Sequence, residues 1–409
     1  MSYDILFRQV RLDKDGGLKD LAVKDGMIVE VAESINETAK KVIDAEGRVL
    51  IPGLVESHIH LDKALIADRK ANKSGTLQEA LAVTASLKPT FTTEDIYQRA
   101  STVLKTMIIP NGVTHMRTHA EFDPAQGFTA FDVIMKIKEE FKDYIDIQVV
   151  AFPQEGIFKH PGTDQMLVEA MEKGADLVGA VPYNDLDANQ HIDYVFEVAK
   201  KFNKDIDLHQ DFADDADKIS IEYLANKTIL EGYQGRVSVG HLTAIAALEP
   251  NEMDRIIKLI AEAGISVMSL PATDLHMGAR RDTYNVRRAL TPVRKLRDAG
   301  VNVCIATNNI RNAFTPYGTG DIIQTAMLAI PTAHLGGADD LPTVLPMITT
   351  SPAKAMALDK YGVDVGCKAD LVLLDTKSYT NVVIDLPTKL FVVKNGRITV
   401  KNTKTTEIY

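Results

Sequence analysis

The stretch Ile51–Lys63, IPGLVESHIHLDK, decides how the rest of the chain is read. A Pro-Gly turn releases a short apolar run that ends on two histidines one residue apart. In a strand, residues i and i+2 share a face. A strand from Leu54 to His60 therefore turns His58 and His60 towards one point at its C-terminal end. Two neutral imidazoles aimed at one point suit a divalent metal, whereas a packed core avoids them unless they are hydrogen-bonded.

Downstream, two textures alternate. Short β-branched runs recur: GVTHMRTHAE, IDIQVVAFPQE, ADLVGAVPY, DIDLHQD, RVSVGHLT, GISVMSLPATD and GVNVCIATNN. Between them lie stretches with helical spacing, predicted over Thr93–Met107, Phe131–Phe141, Asp217–Glu231, Asn251–Gly264 and Val286–Gly300. Gly112, Gly264 and Gly300 stand where helices hand over to strands, as C-cap glycines do. Alternation of this kind means parallel strands with crossover helices. A doubly wound open sheet is the alternative, but eight repeats favour a closed α/β architecture, the (β/α)8 TIM barrel. His60, His119, Glu121, Gln154, His209, His241, Asp274 and Asn308 all fall at or near the C-terminal ends of their runs, the face that carries the active site in a barrel.

The flanks read as short alternating strands. VKDGMIVEV and VVKNGRITV both look like hairpins around Asp-Gly or Asn-Gly. Neither end is long enough for a core of its own, so residues 1–53 and 356–409 are expected to form one small β-sandwich beside a barrel of residues 54–355. The 409 residues are 45% hydrophobic and 25% charged with a formal net charge of −10, and no Lys/Arg-rich run suits nucleic acid or anionic lipid. Cys304 and Cys367 are the only cysteines, too few for a disulfide framework. Met1–Lys19 carries Asp4, Arg8 and Arg11, unlike a secretory leader, and no apolar stretch is of membrane-spanning length. The expectation is a soluble cytoplasmic protein whose partner is a small molecule, neither nucleic acid nor membrane.

With the His-x-His motif in place, the chain resembles the amidohydrolase superfamily over essentially its whole length. Within it, the nearest resemblance is to the cytosine deaminase and N-isopropylammelide isopropylaminohydrolase branches. PGLVESHIHLDK, HMRTHAEFD, IDIQVVAFPQEGI, ADLVGAVP, RRDTYNVRRALTPVRKLRDAGVNV, PYGTGDIIQTAM and the tail GCKADLVLLD with VVKNGRI carry it, in the correct order. The resemblance implies one divalent metal ion, zinc or iron, and hydrolysis of a non-peptide C–N bond in a small nitrogen heterocycle of the pyrimidine, triazine or pterin type. It places metal ligands on His58, His60, His209 and the strand-eight position, Asn308, and a substrate-orienting catalytic histidine on His241. Gln154 falls where the substrate edge is held. Asp211, two residues beyond His209, and Asp274 are further candidate substrate contacts, and the resemblance is compatible with a homo-oligomer.

Two departures bear on activity. The strand-eight residue of the family is an aspartate, which ligates the metal and takes a proton from water; Asn308 is neutral and has no useful basicity. Three readings stay open: a neutral ligand still holds metal while His241 or another group manages the proton; the site is catalytically impaired and binds without turnover; or the asparagine is an engineered change. Phe212 stands where cytosine deaminase carries a proton-shuttling glutamate, which argues against cytosine itself. Lys63 follows strand one and does not match a carbamylated bridging lysine.

Overall fold

The structure is a computed structural model that describes residues 2–217 and 219–409. Five strands precede the barrel: β1 (Tyr3–Val10), β2 (Lys19–Lys24), β3 (Met27–Ala32), β4 (Ala39–Asp44) and β5 (Leu50–Pro52). Eight make the central sheet: β6 (Leu54–Ile59), β7 (Val113–Glu121), β8 (Asp146–Phe152), β9 (Leu177–Ala180), β10 (Asp205–Gln210), β11 (Val237–His241), β12 (Ser266–Ser269) and β13 (Val303–Ile305). Three follow: β14 (Leu371–Leu374), β15 (Lys389–Lys394) and β16 (Arg397–Lys401).

The eight central strands are hydrogen-bonded in sequence order, and every pair is parallel. The first and last strands meet just beyond β13. The Asn308 N–H donates to the His58 carbonyl at 2.8 Å, and the His60 N–H donates to the Asn308 carbonyl at 2.9 Å. That bridge closes the barrel, and its seam lies among the expected metal ligands.

The flanking strands form two four-stranded sheets, β3-β2-β1-β4 and β16-β15-β14-β5. Their facing side chains, including Phe7, Leu21, Val23, Leu371, Leu373 and Val393, share one buried cluster. The two chain ends thus pack face to face as a sandwich, with β5 the N-terminal strand that joins the C-terminal sheet. Both hairpins turn as expected: Asp25-Gly26 and Asn395-Gly396 all have positive φ, between 49° and 78°, which type I′ turns require. The sandwich is pinned to the barrel by Lys394, whose fully buried ammonium donates at 2.8 Å to both Asp146 of β8 and Asp370.

The helices lie outside the barrel and close its core. Ala188–Phe202 shows why such a segment forms: Asp187 accepts from the N–H groups of Asn189 and Gln190, Ile192, Val195, Phe196 and Ala199 fall on one buried stripe, and left-handed Asn203 ends it. Two predicted helices are shorter than expected. Among the described residues, Asp217–Glu231 is helical over Ile221–Leu230, with Lys218 outside those residues, and Val286–Gly300 is helical over Val293–Asp298. In the second, Arg287 is tied to Asp282 and to the Asp214 carbonyl, so the Arg-rich stretch stays a loop until Pro292. No helix among the described residues is long and apolar enough to cross a membrane.

Candidate metal centre and substrate chamber

His58 and His60 project from β6 into the barrel mouth, and His209 faces them from β10. His209 Nε2 lies 3.2 Å from His58 Nε2 and 3.0 Å from His60 Nε2. Two nitrogens each about 2.0–2.1 Å from a common ion, at angles of about 90–110°, stand about 2.8–3.4 Å apart. Each of these two separations is one that nitrogens sharing a divalent ion would have. Burial pushes all three imidazoles well below the usual histidine range, so they are neutral at pH 7, the form that ligates.

The approach of these rings depends on β11. A methyl group on Gly240 would stand 2.6 Å from Cε1 of His58, so the strand beside the cradle has no room for a side chain there. Asn308 completes the rim. It is 1% exposed, and its Oδ1 has no hydrogen-bond partner among the described residues. A buried acceptor left unpaired is costly, and a cation or a substrate N–H at the rim would relieve it.

His119 also approaches this group: it can form a three-nitrogen set with His58 and His209 in which all atoms lie within 4.8 Å. Its Nε2 is bound to Asp207 at 3.0 Å, and Asp207 is in turn held by Arg117 at 2.7 Å, which leaves the buried Nδ1, without a partner among the described residues, as the nitrogen it offers. Glu121 is likewise occupied, by the ammonium groups of Lys63 and Lys88. Glu121 therefore serves the surroundings of the cradle, whereas His119 keeps one nitrogen facing it.

His241 ends β11 with φ 70°. Its Nδ1 is 2.7 Å from Oδ1 of Asp274, and its ring stacks on Phe212 at 4.0 Å with an interplanar angle of 11°. Asp274 sits in a short helix, Pro271–Met277, and is fully buried behind His241, so the structure does not bring it into the chamber as a substrate contact. Nor does it bring Asp211. The strand ends at Gln210, Asp211 takes a left-handed φ of 44°, and its carboxylate turns back to accept from the Ser220 and Ile221 N–H groups. Alternation along β10 stops one residue too early for the i+2 rule to apply.

A profile of the amidohydrolase family matches residues 41–400. The chain belongs to that family. It is 31% identical, over 98% of each chain, to the N-isopropylammelide isopropyl amidohydrolase of Pseudomonas sp. (strain ADP). It is 28% identical, over 93% of this chain and 87% of the other, to the pterin deaminase of Rhizobium rhizogenes (strain K84 / ATCC BAA-868). Among solved structures, the 5-methylcytosine deaminase of Klebsiella pneumoniae liganded with 5-fluorocytosine superposes with a TM-score of 0.94 at 30% identity, covering 99% of each chain.

In this amidohydrolase the histidines open onto a small chamber. Gln154, Asn308 and His241 line it, as do four residues that strand-end reading passed over or set aside: Lys63, Tyr183, Asn309 and Phe314. Lys63 is 2% exposed and donates to Gln154 Oε1 at 2.9 Å. Its placement depends on a residue 91 positions away, which no local pattern reveals. Leu77 and Phe212 are shared between this chamber and an outer cavity of about 280 Å³.

Proposed function

We propose that this amidohydrolase cleaves a C–N bond of a small nitrogen heterocycle, of the pyrimidine, triazine or pterin type, with one divalent ion, zinc or iron, held by His58, His60, His209 and the amide oxygen of Asn308. The observation that carries the reading is the convergence of three neutral Nε2 atoms at 3.0 and 3.2 Å. Such an ion, when bound, supplies Lewis acidity and makes water a nucleophile near neutral pH. The chain's own residues do the rest. Asp274 fixes the His241 tautomer with the proton on Nδ1, which leaves the Nε2 lone pair free to take a proton from the attacking water and return it to the leaving amine. Gln154 holds the ring edge away from the metal. Phe212 keeps the His241 ring in place by stacking.

Relatives named for triazine, pterin and cytosine chemistry support a heterocyclic substrate. The alternative, a binding protein that has lost turnover through Asn308, has no supporting observation of its own, since the histidine set and its Asp274 partner are intact. The test is metal analysis of purified protein followed by amine release from a panel of aminated heterocycles, before and after chelator treatment. Loss of activity on chelation and recovery with zinc or iron is expected. Failure to retain any divalent metal, natural or added, overturns the reading.

A further inference from the structure

His119 takes no part in the reaction proposed above, yet its ring is fully buried beside the three imidazoles of the proposed centre. Its centroid lies 4.2 Å from that of His58, 4.8 Å from that of His209 and 5.2 Å from that of His60. The two ring nitrogens are not equivalent. Nε2 is 3.0 Å from Oδ1 of Asp207, and Oδ2 of Asp207 accepts from the Arg117 guanidinium at 2.7 Å. A carboxylate paired with arginine only accepts, so the proton of His119 sits on Nε2 and the lone pair on Nδ1. That Nδ1 is buried and has no hydrogen-bond partner among the described residues.

His191 shows the contrasting case of a buried histidine with a structural part. Its Nδ1 is 2.6 Å from Oδ2 of Asp185 and its Nε2 accepts from the Val181 N–H at 3.2 Å, so both nitrogens are used. His119 has a carboxylate on one side in the same way and an orphaned lone pair on the other. A buried acceptor without a partner is costly, and in a native fold it calls for a ligand. A nitrogen of His119 also falls within 4.8 Å of a nitrogen on each of His58 and His209. Two ligands on opposite sides of one ion stand about 4.2 Å apart, so less than an ångström of closure brings the three rings into one coordination sphere.

We infer that His119 is a further protein ligand of the divalent ion, through Nδ1, with Asp207 as the positioning residue that sets its tautomer. The inference rests on the proposed function for the ion itself, and it adds a donor from β7 to which the family resemblance gives no role. Carboxylate, imidazole and metal in that order is the arrangement in which the outer partner fixes the ring and raises its basicity. The strand-eight position supplies the reason for an extra donor. Asn308 offers a neutral amide oxygen there, and an inward lone pair on a rigid ring strengthens the hold on the ion.

The experiment follows the ring nitrogens by heteronuclear NMR in protein labelled on histidine, stripped with a chelator and then titrated with zinc. His119→Gln identifies the His119 signals by their loss. The expected result is that Nδ1 of His119 moves from the position of an unprotonated nitrogen to that of a metal-bound one, while Nε2 keeps its proton. If the signals of His58, His60 and His209 move and that of His119 does not, the inference is overturned and the centre stands. If none moves, both fall. In competition with a chromophoric chelator, His119→Gln is expected to bind zinc at least about tenfold more weakly, and wild-type affinity overturns the inference. Loss of a mere buttress would also weaken binding, so X-ray absorption of the zinc-loaded variant is the second measurement. One imidazole fewer than in the wild type is expected, and equal counts sink the assignment. In Asp207→Asn, Arg117 claims the remaining oxygen and the new NH2 faces His119, which forces the proton onto Nδ1. Zinc is then expected to leave the His119 signals unmoved; an unchanged tautomer removes the role given to Asp207.

Discussion

The carboxylate of Asp274 lies 2.7 Å from Nδ1 of His241, with both groups buried and the Phe212 ring stacked on the imidazole. An imidazole held this way has one tautomer and one orientation. Asp274→Asn is expected to lower kcat by roughly 10–100-fold with little change in KM, the size of effect seen when a partner that orients an active-site histidine is lost. Steady-state kinetics on any heterocycle the wild type hydrolyses would check it. A rise in KM at constant kcat would instead put Asp274 in substrate binding.

Asn308 offers a neutral oxygen where a carboxylate would attract a dication directly. Asn308→Asp is expected to tighten divalent metal binding by at least about tenfold, because the added charge acts inside a water-poor site. Competition against a chromophoric chelator reads this without reference to turnover. Unchanged affinity would place Asn308 outside the coordination sphere.

Gly240 makes the cradle sensitive to a residue that ligates nothing. Gly240→Ala puts a methyl group 2.6 Å from Cε1 of His58, on a central strand with neighbours on both sides. The ring must move, and overpacking of this kind destabilises by about 1–3 kcal/mol. Reduced metal content together with a lower Tm is expected. A variant with wild-type metal content would show that His58 is not held where the structure puts it.

Acid should weaken the metal-free protein. Burial lowers the folded pKa of His58, His60 and His209 well below 6.5 and that of His115 to about 4, so each takes up a proton on unfolding once the pH drops under its unfolded value. Their stabilisation is complete above pH 6.5 and is lost as pH falls. Glu56 works the other way between pH 4.5 and 7, since burial raises its carboxyl to about 7 and it holds a proton in the fold that it releases on unfolding. Asp62, raised to about 6, and Asp211 and Asp274, also raised by burial, act as Glu56 does, whereas His191 and His276, lowered by burial, side with the other imidazoles. With six imidazoles against four carboxyls, Tm of chelator-treated protein is expected to fall between pH 7 and pH 5. A rise over that range would contradict the assignment of neutral, buried imidazoles.

The barrel was legible because its strands are short β-branched runs ending in polar residues, and the histidines were legible because i, i+2 spacing fixes a shared face within a strand. That inference stops where the backbone turns: His60, one residue past β6, is still paired to Asn308 across the seam. Asp211 follows β10 by one residue and is turned by its left-handed backbone into a helix cap. Asp274 lies in a helical turn that a reading by strand ends takes as loop. Lys63 and Asn309 matter through partners that local periodicity does not mark: a glutamine on a different strand end, and Asn312, itself oriented by two backbone N–H groups. Tertiary hydrogen-bond chains of this sort leave no periodic trace.

The seam at Asn308 also sets an order of events during synthesis. The backbone atoms that lock His58 and His60 in place belong to a residue about 250 positions downstream, and the β14 strand that receives β5 is later still. A ribosome-bound chain has two of its imidazoles early but nothing to brace them until three quarters of the polypeptide has emerged. In the proposed centre, capture of the cation therefore falls to chains that extend past Asn308, and shorter translation products are expected to bind none.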